Sequence, residues 1–227
     1  MPEVKKWAMD VRMSFEKTGM AKFISHLDTV RLITRSMKRA CVPIWFTEGF
    51  NPHAFLTFAM PLSLGFESLC ETVDFRLMEE VDLNELVERL NEALPVDITV
   101  KEIYVYETSP NDISWAEYKI TFNNPDNLLL AQAENILSSD EIIVLKKVKK
   151  GRNKVEKEVN IKEHIKSFEL NVEEGKLIFR TVLSSGTRTN INPMLLIGEL
   201  VKGTATDEQD VDIIKVQSYK ENMEIFR

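Results

Sequence analysis

The chain has 227 residues, two cysteines and a net charge of −7. That length suits one large domain or two small ones, because domains cluster at about 100–150 residues. No apolar run nears the ~20 residues that span a bilayer, the first residues lack an apolar leader segment, and Cys41 and Cys70 show neither CxxC nor zinc-finger spacing. The expectation is a cytoplasmic protein with reduced thiols and no membrane association. The negative balance argues against coating nucleic acid through an overall field. The cations nevertheless cluster, with Lys22, Arg31, Arg35, Lys38 and Arg39 in one stretch and Lys146, Lys147, Lys149, Lys150, Arg152, Lys154 and Lys157 in another.

In chain order, residues 9–15 alternate weakly as a strand and Gly19 marks a turn. Ser25 is a good N-cap with Asp28 three residues on, which opens a helix. Leu27, Val30, Ile33 or Thr34, Met37 and Cys41 recur at helical spacing and are expected to form its buried face. Pro43 ends it. Residues 44–46 read as a short β-rich run, 48–53 (EGFNPH) as a turn-rich loop, and 56–66, interrupted by Pro61 and Gly65, as an irregular or edge strand. Residues 72–77 alternate as a strand. Asp82 and Glu85 form a capping box for a helix that stops at Pro95, and 98–106 close the set. This βαββαβ order is the ferredoxin-like arrangement.

A polar, turn-forming stretch, 107–114 (ETSPNDIS), marks a boundary. Beyond it the pattern recurs: a strand over 115–122, a helix over 127–137, hairpins at 141–161 and 168–183, a helix capped by Asn192 and started by Pro193, and a last strand over 211–219. The expected fold class is α+β, with tandem ferredoxin-like domains over residues 1–107 and 115–227, the second elaborated with β-hairpins.

The block FISHLDTVRLITRSMKRACVPIWFTEGFNPHAFLTFAMPLSLGFES resembles the family that accompanies, or is fused to, radical S-adenosylmethionine (radical SAM) enzymes in bacteria, a DUF2344-like domain of unknown function. The matching motifs are Phe23–Asp28, Lys38–Ala40, Gly49–His53 and Pro61–Gly65, with Ser63 where the family commonly has proline. The resemblance implies a companion of a radical SAM enzyme that binds no cofactor itself, the partner carrying the iron–sulfur cluster and S-adenosylmethionine, since this chain has no Cx3Cx2C motif. A more distant similarity, of fold order and one histidine, is to ferredoxin-like RNA-processing proteins of the CRISPR system.

Candidate site residues come from the same block and the second basic run. Ser25 and His26 sit at a helix start, where free N–H groups and the dipole favour anions and a neutral imidazole. Arg31, Arg35 and Lys38 form an exposed stripe able to contact phosphates. The GFNPH loop supplies a tight glycine turn, Asn51, a second imidazole at His53, and Phe50 as a stacking platform for a base. Lys149, Lys150 and Arg152 lie on a basic hairpin suited to a phosphate backbone. Each has a plainer reading: a polar helix start, a solvated helix face, an aromatic that plugs the core edge, or lysines that guard a sheet edge. Cys41 reads as a core thiol, and no metal is assigned. The expected function is an RNA-binding or substrate-presenting partner of a radical SAM enzyme. The alternatives are metal-independent RNA cleavage by His26 and His53, and a protein–protein scaffold whose basic stripe docks an acidic partner.

Overall fold

The computed structural model describes residues 7–150, 153–187 and 189–227, and side chains throughout these except at 147–150 and 153–155. The protein is an α+β fold, with four α-helices among the described residues, divided into two compact units. The first holds residues up to Asp112 together with Ile225–Arg227, and the second holds Ile113–Glu224. None of the described helices is long and apolar enough to cross a membrane.

In the first unit the order is β1 (Met9–Lys17), a 3-10 turn (Gly19–Phe23), α1 (His26–Arg39), β2 (Leu56–Phe58), β3 (Glu67–Leu77), α2 (Leu83–Ala93) and β4 (Ile98–Val105). β1 pairs antiparallel with both β3 and β4, and β2 pairs with β3. The strand order is therefore β4-β1-β3-β2. Val11, Met13, Phe15, Val73, Phe75 and Leu77 come from β1 and β3 and form one buried core with Ile33 and Met37 of α1 and Leu86 and Leu90 of α2.

The helix starts follow from the sequence. Ser25 Oγ accepts the Asp28 N–H at 3.2 Å, and Asp82 Oδ1 accepts the N–H groups of Asn84 and Glu85 at 2.8 and 3.3 Å, so each cap satisfies donors that the helix leaves open. The buried face of α1 differs from the expected one. It consists of Thr29, Ile33, Ser36 and Met37, whereas Leu27 is 65% exposed and Cys41 is exposed. The helix ends at Arg39, and Cys41 adopts a left-handed backbone at φ 50°, which breaks the helical register and turns its thiol away from the core. The β-rich run at 44–46 makes only isolated bridges, Ile44 to Leu77 and Phe46 to Ala54. Of the irregular stretch at 56–66, only Leu56–Phe58 is a strand; β3 begins earlier than expected, at Glu67.

A buried ion pair supports the sheet from the side opposite Val11 and Met13. The Arg12 guanidinium, fully buried, grips Asp74 with two bonds of 2.6 and 2.8 Å and donates to Thr108 Oγ1 and Thr108 O at 2.7 and 3.0 Å. It stacks on Tyr106 and Phe226, 4.5 and 4.3 Å from their ring centres. With these partners the desolvated charge is compensated.

In the second unit the order is β5 (Ile113–Phe122), α3 (Leu129–Ser138), β6 (Ile143–Lys150), β7 (Asn153–Asn160), β8 (Ile165–Glu173), β9 (Lys176–Ser184), α4 (Pro193–Val201) and β10 (Val211–Lys220). β5 pairs antiparallel with β10 and β9, and β9 with β8, giving β10-β5-β9-β8. β6 and β7 form a separate hairpin. Asn192 caps α4 through the Met194 N–H at 2.9 Å, with Pro193 in the first turn. Ala133 and Leu137 of α3 and Leu196, Ile197 and Leu200 of α4 are buried, as are Ile120, Phe122 and Phe179 of the sheet.

Candidate functional site

Three motifs that are distant in sequence meet around α1. At its start, Ser25 Oγ–H donates to Asp28 Oδ2 at 2.7 Å while Arg31 donates to Asp28 Oδ1 at 3.0 Å. These bonds, that from Ser25 first, hold the Asp28 carboxyl below its ordinary pKa of 3.8. His26 is the first residue of α1 and packs edge-on against Phe58 of β2, with ring centres 5.1 Å apart. The PLSLG loop reaches the same place, because the Gly65 N–H donates to Lys22 O at 2.8 Å. At the far end of α1, the Lys38 ammonium lies 5.4 Å from the Phe46 ring centre, at the base of the GFNPH loop.

That loop is tied to itself. Phe46 bridges to Ala54, the Thr47 N–H donates to His53 O at 2.8 Å, and the His53 N–H returns to Thr47 Oγ1 at 3.1 Å. His53 Nδ1 lies 3.0 Å from Thr47 Oγ1 and 3.1 Å from Asn51 O. A carbonyl only accepts, so the Asn51 contact is a hydrogen bond in the tautomer that carries the proton on Nδ1, whereas Thr47 Oγ1 can donate or accept. Gly49 has φ 121°, a conformation that side-chain-bearing residues rarely adopt. The result is a closed loop whose tip lifts Phe50 completely into solvent, at 105% relative exposure. The plainer expectation, that Phe50 plugs the core edge, is wrong.

The basic stripe divides. Arg31 and Arg35, with Arg39, line an open groove of about 670 Å³ between α1 and the end of α2, while Lys38 lies against Phe46. Arg39 is occupied: its guanidinium donates to Ala93 O at 2.5 Å and Ser36 Oγ at 2.9 Å. Asn51 and His53 are exposed on the loop. Among the described residues, no hydrogen bond or ring contact joins His26 to His53, and no group of histidine, cysteine and carboxylate side chains could hold a metal. Arg152 lies outside the described residues, as do the side chains of Lys149 and Lys150; the backbone pairing sets Lys149 opposite Lys154 and Lys150 opposite Asn153.

Beneath the FISHLD segment is a buried pair that the sequence reading missed. Lys17 and Glu71 are 3% and 4% exposed. The Lys17 ammonium donates to Ile24 O at 3.2 Å, one residue before the Ser25 cap. Burial pushes the Lys17 pKa below 10.5, and the charge of Glu71 opposes that shift. In an alternating strand a terminal lysine reads as solvent-facing, so the only available signal was a charged residue in phase with Met13 and Phe15.

Comparison with known proteins gives a family and little else. No curated protein matches the chain. A chain from a structure described as "Crystal Structure of a Cbf5-Nop10-Gar1 Complex" is 10% identical at a TM-score of 0.49, and the match covers 97% of this chain and 56% of that one. An unknown protein from Galdieria sulphuraria is 10% identical at a TM-score of 0.26, with 92% and 98% covered. The family described as "Uncharacterized protein conserved in bacteria (DUF2344)" matches residues 11–193, a span that takes in FISHLD, GFNPH and PLSLG. The chain belongs to the DUF2344 family.

Proposed function

We propose that this protein is an accessory RNA-binding partner of a radical SAM enzyme, and that it takes a single-stranded stretch of RNA on the GFNPH loop. The observation that carries the RNA reading is Phe50, a fully exposed aromatic on a loop closed by its own hydrogen bonds. Exposing a phenyl ring is costly in water, and a loop backbone already tied by hydrogen bonds has less entropy to lose when a base stacks on the ring. Asn51 and His53 follow Phe50 on the same loop and offer polar groups to a base edge. Lys38, at the loop's base, and the α1 start at Ser25 and His26 supply contacts for phosphates. On the second unit, the hairpin register sets Lys146 opposite Lys157, a like-charge pairing that an anion relieves. His26 and His53 serve recognition here, with no bond-breaking step.

The fold reading that accompanies this is two ferredoxin-like units. Its support is the shared strand order: β4-β1-β3-β2 in the first unit and β10-β5-β9-β8 in the second. The two coincide once the β6–β7 hairpin is taken as an insertion between α3 and β8. The radical SAM partnership rests on the resemblance of the FISHLD, GFNPH and PLSLG block.

Titration of the purified chain with a labelled oligouridylate tests the RNA half. Binding is expected to weaken with salt at a slope of about −1.4 to −2.1, for two to three phosphates on a single strand. A chain that binds no RNA at low salt contradicts the reading. For the partner half, tagged protein expressed in its own cells is expected to bring down an enzyme with iron–sulfur absorbance, and its absence from repeated preparations counts against that half.

A further inference from the structure

The groove between α1 and the end of α2 lies apart from the GFNPH loop and has a different character. Its lining combines apolar side chains, Ile24, Leu32, Leu94 and Pro95, with the charged side chains of Asp28, Arg31, Arg35 and Arg39. Arg31 is 66% exposed in its side chain, and its one carboxylate partner, Asp28, is itself solvated and shared with Ser25. Arg35 is exposed, and among the described residues it makes no hydrogen bond or ion pair. Arg31 and Arg35 are four residues apart on α1, about 6 Å along the axis. Leu27, one turn before Arg31, and Val96, next to Pro95 in the chain, are 65% and 92% exposed.

A nucleic acid is a poor match for this surface. Its phosphates would meet arginines, but its bases would find no aromatic ring among the lining residues, and stacking is what single strands use. An acidic amphipathic helix matches both features. Its apolar stripe covers Ile24, Leu32 and Leu94, and carboxylates four residues apart on its flank meet Arg31 and Arg35 at the same 6 Å pitch. We propose that this groove docks an amphipathic helix of a partner protein, apolar on one face and bearing aspartate or glutamate at i and i+4 beside it. The groove then serves protein docking while RNA is held elsewhere, so this inference stands or falls independently of the RNA reading.

The test uses the full chain and a labelled helical peptide with leucines on one face and glutamates at i and i+4 on its flank. A matched peptide carries lysines in place of the glutamates. The wild-type chain is expected to bind the glutamate peptide and not the lysine peptide. The R31E/R35E variant, with both changes on exposed side chains, is expected to bind the glutamate peptide at least about tenfold more weakly, a change of 1.4 kcal/mol, and to gain binding of the lysine peptide. The Phe50→Ala variant is expected to bind the glutamate peptide as the wild type does. Oligouridylate that displaces the peptide would make the groove a nucleic-acid track and overturn the proposal. So would peptide binding that ignores the charge reversal, no peptide binding at all, or a wild-type dimer that R31E/R35E dissociates.

Discussion

Lys17→Met probes how the end of β1 holds the FISHLD segment. Methionine keeps most of the stem's volume and removes the ammonium that donates to Ile24 O at 3.2 Å and faces the charge of Glu71. A hydrogen bond to a charged group contributes about 1.5–3 kcal/mol. The single variant is therefore expected to lose about 1.5–3 kcal/mol of stability. The double variant K17M/E71L removes both charges and is expected to recover to within about 2 kcal/mol of wild type. Denaturant unfolding followed by circular dichroism measures the wild type, Lys17→Met, Glu71→Leu and the double variant. The pH dependence gives an independent check with a fixed sign. Burial lowers the folded Lys17 pKa below 10.5, so between the folded value and 10.5 the unfolded chain binds more protons and stability rises with pH. Lys17→Met removes that rise. A cost below about 1 kcal/mol for the single variant, or a double variant as unstable as the sum of the singles, refutes the reasoning.

Two further outcomes follow from local geometry. Ser25→Ala removes the cap that accepts the Asp28 N–H and the hydroxyl that holds Asp28 charged. It is expected to cost about 0.5–2 kcal/mol and to reduce the part of the stability that is present above pH 3.8 and lost as pH falls through the lowered Asp28 pKa, read as unfolding midpoints across acid pH. Gly186→Ala would set a Cβ 2.4 Å from the Ile113 carbonyl oxygen, so unfolding is expected to show a loss of about 1–3 kcal/mol, and an unchanged midpoint contradicts that packing.

The parts of the fold that were legible in the sequence are those set by neighbours in the chain. Ser25, Asp82 and Asn192–Pro193 announce their helices because a cap acts within three residues. The misread parts depend on distant contacts or on one backbone angle. Cys41 continues the apolar spacing of α1, yet its positive φ removes it from the helix. Arg12 alternates with Val11 and Met13 as a solvent-facing residue should, and it is buried because Tyr106, Thr108 and Phe226 cover it from far along the chain. At the candidate site, the residue types were visible but their grouping was not. Nothing in the spacing of Arg31, Arg35 and Lys38 reveals that α2 forms a groove beside the first two while Phe46 meets the third.

The central claim, that the GFNPH loop holds a base on Phe50, meets its most direct test in RNA affinity of the Phe50→Ala variant against wild type. Because Phe50 touches nothing that stabilises the fold, at 105% exposure, the unfolding midpoint is expected to stay unchanged. Binding of single-stranded RNA is expected to weaken by about 1–3 kcal/mol, or about 5- to 150-fold, for one lost stacking contact. A variant that folds normally and binds RNA as tightly as wild type contradicts the account.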